Sequence, residues 1–294
     1  MSTSTTIEWT EVTWNPTTGC DRISPGCDHC YALKLAKRLK AMGQAKYQRD
    51  GDPRTSGPGF GITAHEDALI EPLRWRRPRK VFVNSMSDIG HARVPRAFVA
   101  RIFATMALGP QHQFQVLTKR PQHLRRLLDS QQFVDAVWAE MERLSADDTV
   151  PLARPVREDA RKRAANWNAL SPWPLPNVWI GTSVESDEYC WRADELRLIP
   201  AAVRFLSLEP LLGPVPSLDL AGIDWAIVGG ESGPQHRPLH LDWVRDIRDR
   251  CVDRRVALFF KQVGGLTPKA GGRLLDGRTW DEYPTSVPAR VPGA

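Results

Sequence analysis

The chain has 294 residues, of which 25% are charged, and a formal net charge of +6. Such a length suits one large globular domain or two small ones. No run of about eighteen apolar residues occurs, which excludes a membrane-spanning helix. The start, Met1-Ser2-Thr3-Ser4-Thr5-Thr6, lacks the basic and apolar regions of a secretory signal, so a cytoplasmic protein is expected.

In chain order, Ile7 to Trp14 reads as a first strand that runs into a cysteine-bearing loop. Residues 31–42 follow with Ala32, Leu35, Ala36 and Leu39 on one face and Lys34, Lys37, Arg38 and Lys40 opposite, which is helical periodicity. Residues 43–75 are polar and rich in Gly and Pro, and read as a loop insertion. Lys80 to Asn84 is a strand, Pro95 to Leu108 a helix with proline in its first turn, Phe114 to Thr118 a strand, and Pro121 to Leu128 a helix. Residues 130–176 read as a second insertion, with a helix over Phe133 to Leu144 and then a connector rich in Pro and Arg. Strands are expected over 177–183, 203–207, 224–228 and 256–260, and a helix over 241–251. Beyond Leu266 the chain reads as an irregular tail, 267–294. Strands alternating with helices predict an α/β fold with a parallel sheet. About six to seven such units point to a β/α barrel or partial barrel in one domain, 1–266, with a doubly wound open sheet as the alternative.

Five cysteines occur, and three are grouped: Cys20, Cys27 and Cys30. The odd count argues for metal or redox chemistry over a disulfide framework. Three thiolates can hold three corners of a 4Fe-4S cluster and leave one iron open, and the glycines and proline around them let the backbone wrap closely. Cys190 and Cys251 fall in helical stretches and read as small core residues.

In parallel β/α folds the site lies at the C-terminal strand ends. The strands here end in Asn84-Ser85-Met86-Ser87-Asp88, Thr118-Lys119-Arg120, Ser183-Val184-Glu185, Ser207-Leu208-Glu209-Pro210, Gly229-Gly230-Glu231-Ser232-Gly233 and Lys261-Gln262. Any one of these can cap a helix or start a turn, and that reading suffices for Ser207 or Ser232. Three glutamates and two lysines on five strands are the mark of a cleft. Asp88, Lys119, Glu185, Glu209 and Lys261 are expected around one cavity beside the cysteine loop. The carboxylates can bind a second metal or be compensated by the lysines. Basic residues cluster at Arg74, Arg76, Arg77, Arg79 and Lys80 around Trp75, at Lys119, Arg120, Arg125 and Arg126, and at Arg154, Arg157, Arg161, Lys162 and Arg163 near Trp167. Interleaved arginines and tryptophans suit phosphate contact and base stacking. A solvated arginine surface is the plainer account.

With Trp14-Asn15-Pro16, the cysteine loop, Leu117-Thr118-Lys119-Arg120-Pro121, the stretch from Phe205 to Pro214 and Phe260 to Gly265, the chain resembles the radical S-adenosylmethionine enzymes near the spore photoproduct lyase branch. It resembles most closely the phage-related three-Cys-motif proteins. Six residues separate Cys20 from Cys27, more than is usual in the superfamily. The resemblance implies a 4Fe-4S cluster on Cys20, Cys27 and Cys30 and S-adenosyl-L-methionine at its open iron. That cofactor would be split to a 5′-deoxyadenosyl radical. It implies cofactor contacts from Ser85, Ser87, Asp88, Glu185 and Glu231, and catalytic roles for Lys119, Glu209 and Lys261. Nucleic-acid repair or modification is the implied activity, with a three-Cys-motif partner protein as a candidate associate. The rival from another class is a zinc protein that binds nucleic acid, with His29 or water as fourth ligand. A third reading keeps the cluster as a structural or redox-sensing element.

Overall fold

The computed structural model describes residues 5–165 and 173–285. Among them the strands are β1 (Val12–Trp14), β2 (Thr17–Thr18), β3 (Thr63–Ala64), β4 (Lys80–Val83), β5 (Gln113–Thr118), β6 (Val178–Ser183), β7 (Val203–Leu208), β8 (Trp225–Gly229) and β9 (Ala257–Gln262). The helices are α1 (Tyr31–Ala41), α2 (Glu66–Leu69), α3 (Arg96–Leu108), α4 (Pro121–Leu128), α5 (Gln131–Ala146), α6 (Arg154–Ala165), α7 (Trp191–Arg197) and α8 (Leu241–Arg254). Seven strands form one curled sheet in the order β1-β4-β5-β6-β7-β8-β9. Every pairing in it is parallel. The fold is therefore a partial parallel β/α barrel. β2 and β3 pair antiparallel beside it.

Both faces of the sheet are buried, which explains the near-continuous apolar strands. Val81, Val83, Phe114, Val116, Ile180, Leu206, Val228 and Leu258 pack outward against the helices. The alternate residues face inward, where Trp9, Phe82, Trp179, Phe205, Trp225, Ile227 and Phe259 form an aromatic plug. Trp225 is its centre, with ring centroids 5.8 Å from Trp179, 5.7 Å from Phe205 and 6.3 Å from Phe259. Gly181 leaves room for this packing, because a Cβ there would run into the Phe205 ring.

The structure departs from the sequence reading in three places. The first insertion is not all loop: it carries β3 and α2, and the Trp14 indole donates to the Ala68 carbonyl at 2.8 Å. The connector after Leu144 contains α6. That helix has little apolar face of its own. It is held by Arg157, which donates to the carbonyls of Ser145, Asp147 and Val150 at 2.7–2.8 Å. The tail is packed along β9: Phe260 N–H donates to the Trp280 carbonyl at 2.8 Å, and Leu258 and Glu282 exchange bonds. Leu275 and Trp280 are buried. Among the described residues no helix is long and apolar enough to cross a membrane.

Candidate functional site

The parallel order brings the C-terminal ends of all seven strands to one edge, and the loop after β1 and β2 lies over it. That loop carries Cys20 (half-buried), Cys27 (buried) and Cys30 (half-buried). Pro25–Cys27 is a single 3₁₀ turn, which brings Cys27 and Cys30 onto adjacent turns at the start of α1. Burial, then the Asp88 charge, push the Cys20 thiol up to about 12. Burial also raises Cys30. At Cys27 burial is outweighed by the Lys119 ammonium and by hydrogen bonds at Ile23 and Ser24, and the thiol is held below its ordinary value. Thiols raised by burial give up their protons when a metal takes their place. The Arg120 guanidinium is already set 3.3 Å from Cys20 Sγ.

The charged strand-end residues brace this loop from below. Asp88 is buried and fully engaged. Its Oδ1 accepts from Thr118 Oγ1 at 2.6 Å and Gly90 N–H at 2.9 Å. Its Oδ2 accepts from Lys119 N–H at 3.1 Å and Arg120 Nη1 at 2.8 Å. Arg120 also donates to the Asp21 carbonyl at 2.8 Å, so the run Asp88–Arg120–Cys20 ties β4 and β5 to the loop. Glu185 is 0% exposed. It accepts from Ser24 Oγ at 2.7 Å, from the Lys119 ammonium, and from Arg192 Nη1 at 2.9 Å. Gly26 lies so close that a Cβ on it would sit 2.5 Å from Glu185 Cγ and 2.6 Å from Oε1. Glu231 accepts from His29 Nδ1–H at 3.0 Å and from the Arg237 guanidinium at 2.6 and 3.0 Å, while Arg237 reaches on to the Pro25 carbonyl at 3.0 Å. Burial opposes ionisation of Glu231, but Arg237 and His29 hold it down to about 2.

Two of the predicted residues remain nearer the opening. Glu209 and Lys261 form an ion pair, each side chain 19% exposed. Ser85 Oγ is taken up by Asn15 Nδ2 at 3.0 Å and Ser87 Oγ by Thr17 Oγ1 at 2.7 Å. The structure thus gathers the predicted residues at one edge but gives them different work. Asp88, Glu185 and Glu231 position the cysteine loop, whereas Glu209 and Lys261 border the concave space. Sequence reasoning missed Ser24, Asn15, Arg192 and Arg237. It also missed Asn84, whose backbone is left-handed (φ 67°) and whose buried amide has no partner among the described residues. Strain of that kind collects at sites.

The basic groups divide. Arg74 to Lys80 precede β4 and lie at the opposite end of the sheet from the cysteines, where Lys80 Nζ sits 3.7 Å over the Tyr283 ring. Arg154, Arg157 and Arg161 pair with Glu158 and Asp148. The side chains of Arg163 and Trp167 lie outside the described residues. At the cysteine end, exposed Arg22 and Lys34 have no ion-pair partner among the described residues.

The family described as "Protein of unknown function (DUF5131)" has a model that matches residues 4–284. The chain belongs to that family. No curated protein and no solved structure matches it. The DUF5131 match takes in the cysteine loop, all seven strands of the sheet and the tail as far as its pairing with β9.

Proposed function

We propose that this DUF5131 protein is an iron–sulfur radical enzyme. Cys20, Cys27 and Cys30 would hold a 4Fe-4S cluster and leave one iron for S-adenosyl-L-methionine. The observation that carries this reading is the pairing of thiols with cations over the mouth of the partial barrel. Arg120 faces Cys20, and Lys119 acts on Cys27. A cluster on three thiolates is anionic, and two buried cations beside the sulfurs suit it. The bound group would supply the one-electron cleavage of S-adenosyl-L-methionine that starts radical chemistry.

The chain's own part is to hold, orient and exclude. Asp88 keeps Arg120 against Cys20, Glu185 keeps Ser24 and the loop turn in register, and Glu231 ties down His29. The aromatic plug keeps water out of the barrel below. Among the described residues no three His, Cys, Asp or Glu side chains converge on one ion, and His29 Nδ1 is engaged by Glu231. Both features favour a large inorganic body over a single zinc. The unpaired Arg22 and Lys34 at the rim favour a polyanionic substrate, so nucleic-acid repair or modification is the activity we assign, in the cytoplasm.

The test is anaerobic reconstitution with iron and sulfide. Three cysteine-ligated clusters' worth of signature is expected from one site per chain: a brown protein, iron and sulfide in equal amounts, and 5′-deoxyadenosine on reduction with the cofactor present. Cys20→Ala, Cys27→Ala and Cys30→Ala should each lose most of the iron, while Cys190→Ala and Cys251→Ala keep it. Zinc in place of iron, or normal iron in any of the first three variants, would reject the reading.

A further inference from the structure

Ser183 ends β6 and Ser207 lies on β7, and the two are direct partners in the parallel ladder. Strand alternation puts both on the concave side, above Trp179 and Phe205 of the aromatic plug. Each residue is only 3% exposed, yet neither hydroxyl has a hydrogen-bond partner among the described residues. A buried polar group left without a partner is costly, about 1–3 kcal/mol. Two of them side by side on neighbouring strands, roughly 4.8 Å apart, are a built recognition edge waiting for a ligand. Phe205, Ile227 and Phe259 lie beneath them. Glu209 and Lys261 close the side, and Gly229 leaves room there, with a Cβ on it only 3.4 Å from Glu209 Cδ.

The charges around this space decide what enters. Lys261 is paired with Glu209 and Lys119 with Glu185. No inward lysine is left for a phosphate or carboxylate. The hydroxyls donate and accept equally, and the floor is aromatic and aliphatic. That combination fits an uncharged planar ring with adjacent donors and acceptors on its edge. Outside, exposed Arg22 and Lys34 are free for phosphates, and Lys34 reaches the turn at Gly233 after β8.

We propose that Ser183 and Ser207 form the recognition edge of a subsite for a substrate nucleobase, whose phosphate chain stays outside against Arg22 and Lys34. This rests on the nucleic-acid reading above and names the part of the substrate that enters. Taking a base out of its stack into such a space is how enzymes reach an atom on it.

The test is nucleoside binding to the full chain, by calorimetry and saturation-transfer NMR, with uridine, thymidine, cytidine, guanosine and adenosine. At least one nucleoside other than adenosine should bind, and inorganic phosphate should not compete. Ser183→Ala with Ser207→Ala should weaken that binding about tenfold or more at an unchanged melting temperature. Ser207→Ala alone provides a milder variant if the pair unfolds. No binding at millimolar nucleoside, or binding untouched by the substitutions, overturns the subsite. Adenosine as the sole ligand, displaced by S-adenosyl-L-methionine, also overturns it, because the space is then the cofactor's seat. Iron uptake measured on the same preparations keeps the two ideas apart. Normal iron without nucleoside binding rejects the subsite alone, and nucleoside binding without iron uptake rejects the radical-enzyme reading alone.

Discussion

Gly26 shows how one missing atom can set a site. It lets the 3₁₀ turn rest on Glu185, and a methyl group there would fall at 2.5 Å from Glu185 Cγ. Gly26→Ala is expected to cost about 1–3 kcal/mol through overpacking and to lower iron uptake, because the turn and Cys27 must lift away; thermal melts and iron assays read both. Glu231 carries a pH dependence. Its folded carboxyl titrates near 2 against an ordinary 4.5. Between those values the unfolded chain binds the extra proton, so the stability Glu231 provides is complete above about pH 4.5 and lost as pH falls through 2. Glu231→Gln should lose roughly 1.5–3 kcal/mol at neutral pH and show a flatter acid limb in denaturant titrations from pH 5 downward. An unchanged acid limb would show that the His29–Glu231–Arg237 cluster is not formed.

At the scale of elements, the short helix α7 is fastened to the end of β6 by a buried charge. Arg192, 1% exposed, donates to the Ser183 carbonyl at 3.0 Å and to Glu185 at 2.9 Å, with its guanidinium 4.3 Å over Tyr189. Burial pulls its pKa down to about 10, so it stays charged at neutral pH. Breaking a buried pair from one side costs about 3–5 kcal/mol because a charge is stranded. Arg192→Met should fall at the lower end, since Lys119 still faces Glu185. Chemical denaturation measures the loss. A near-neutral result would mean that α7 is held by its apolar face, through Ala193 and Leu196, and not by the ion pair.

For the whole molecule, the partial barrel has two free edges, β1 and β9, and an exposed edge is a template for unwanted pairing. The tail answers this on one side. Asp281 bridges Phe259 and Trp225 Nε1 donates to the Glu282 carbonyl at 2.9 Å. Tyr283 stacks on Trp225 with centroids 5.1 Å apart. A chain ending at Leu266 uncovers the β9 edge and loses buried Leu275 and Trp280, at about 1.5–3 kcal/mol per large apolar side chain. We expect a loss of about 3–6 kcal/mol on that basis, with aggregation on warming. A truncated chain that melts like the full one would show that the barrel is complete without its tail.

The sequence by itself determined the succession of strands and helices, because period-two and 3.6-residue patterns are local and survive in any tertiary context. It also determined that Asp88, Lys119, Glu185, Glu209 and Lys261 share one edge, since parallel strands end on the same side. The tertiary structure decided what those residues do. Glu185 looks like a ligand in the sequence and is a brace in the fold, because Ser24, Lys119 and Arg192 come to it from 161, 66 and 7 residues away. Ser207 looks like a turn residue and is an unpartnered hydroxyl above an aromatic floor. Leu275, Trp280 and Tyr283 look like an irregular tail and cover the sheet edge. In each case the deciding quantity is a contact between distant parts of the chain, and hydrophobic periodicity carries no information about which distant charges will meet.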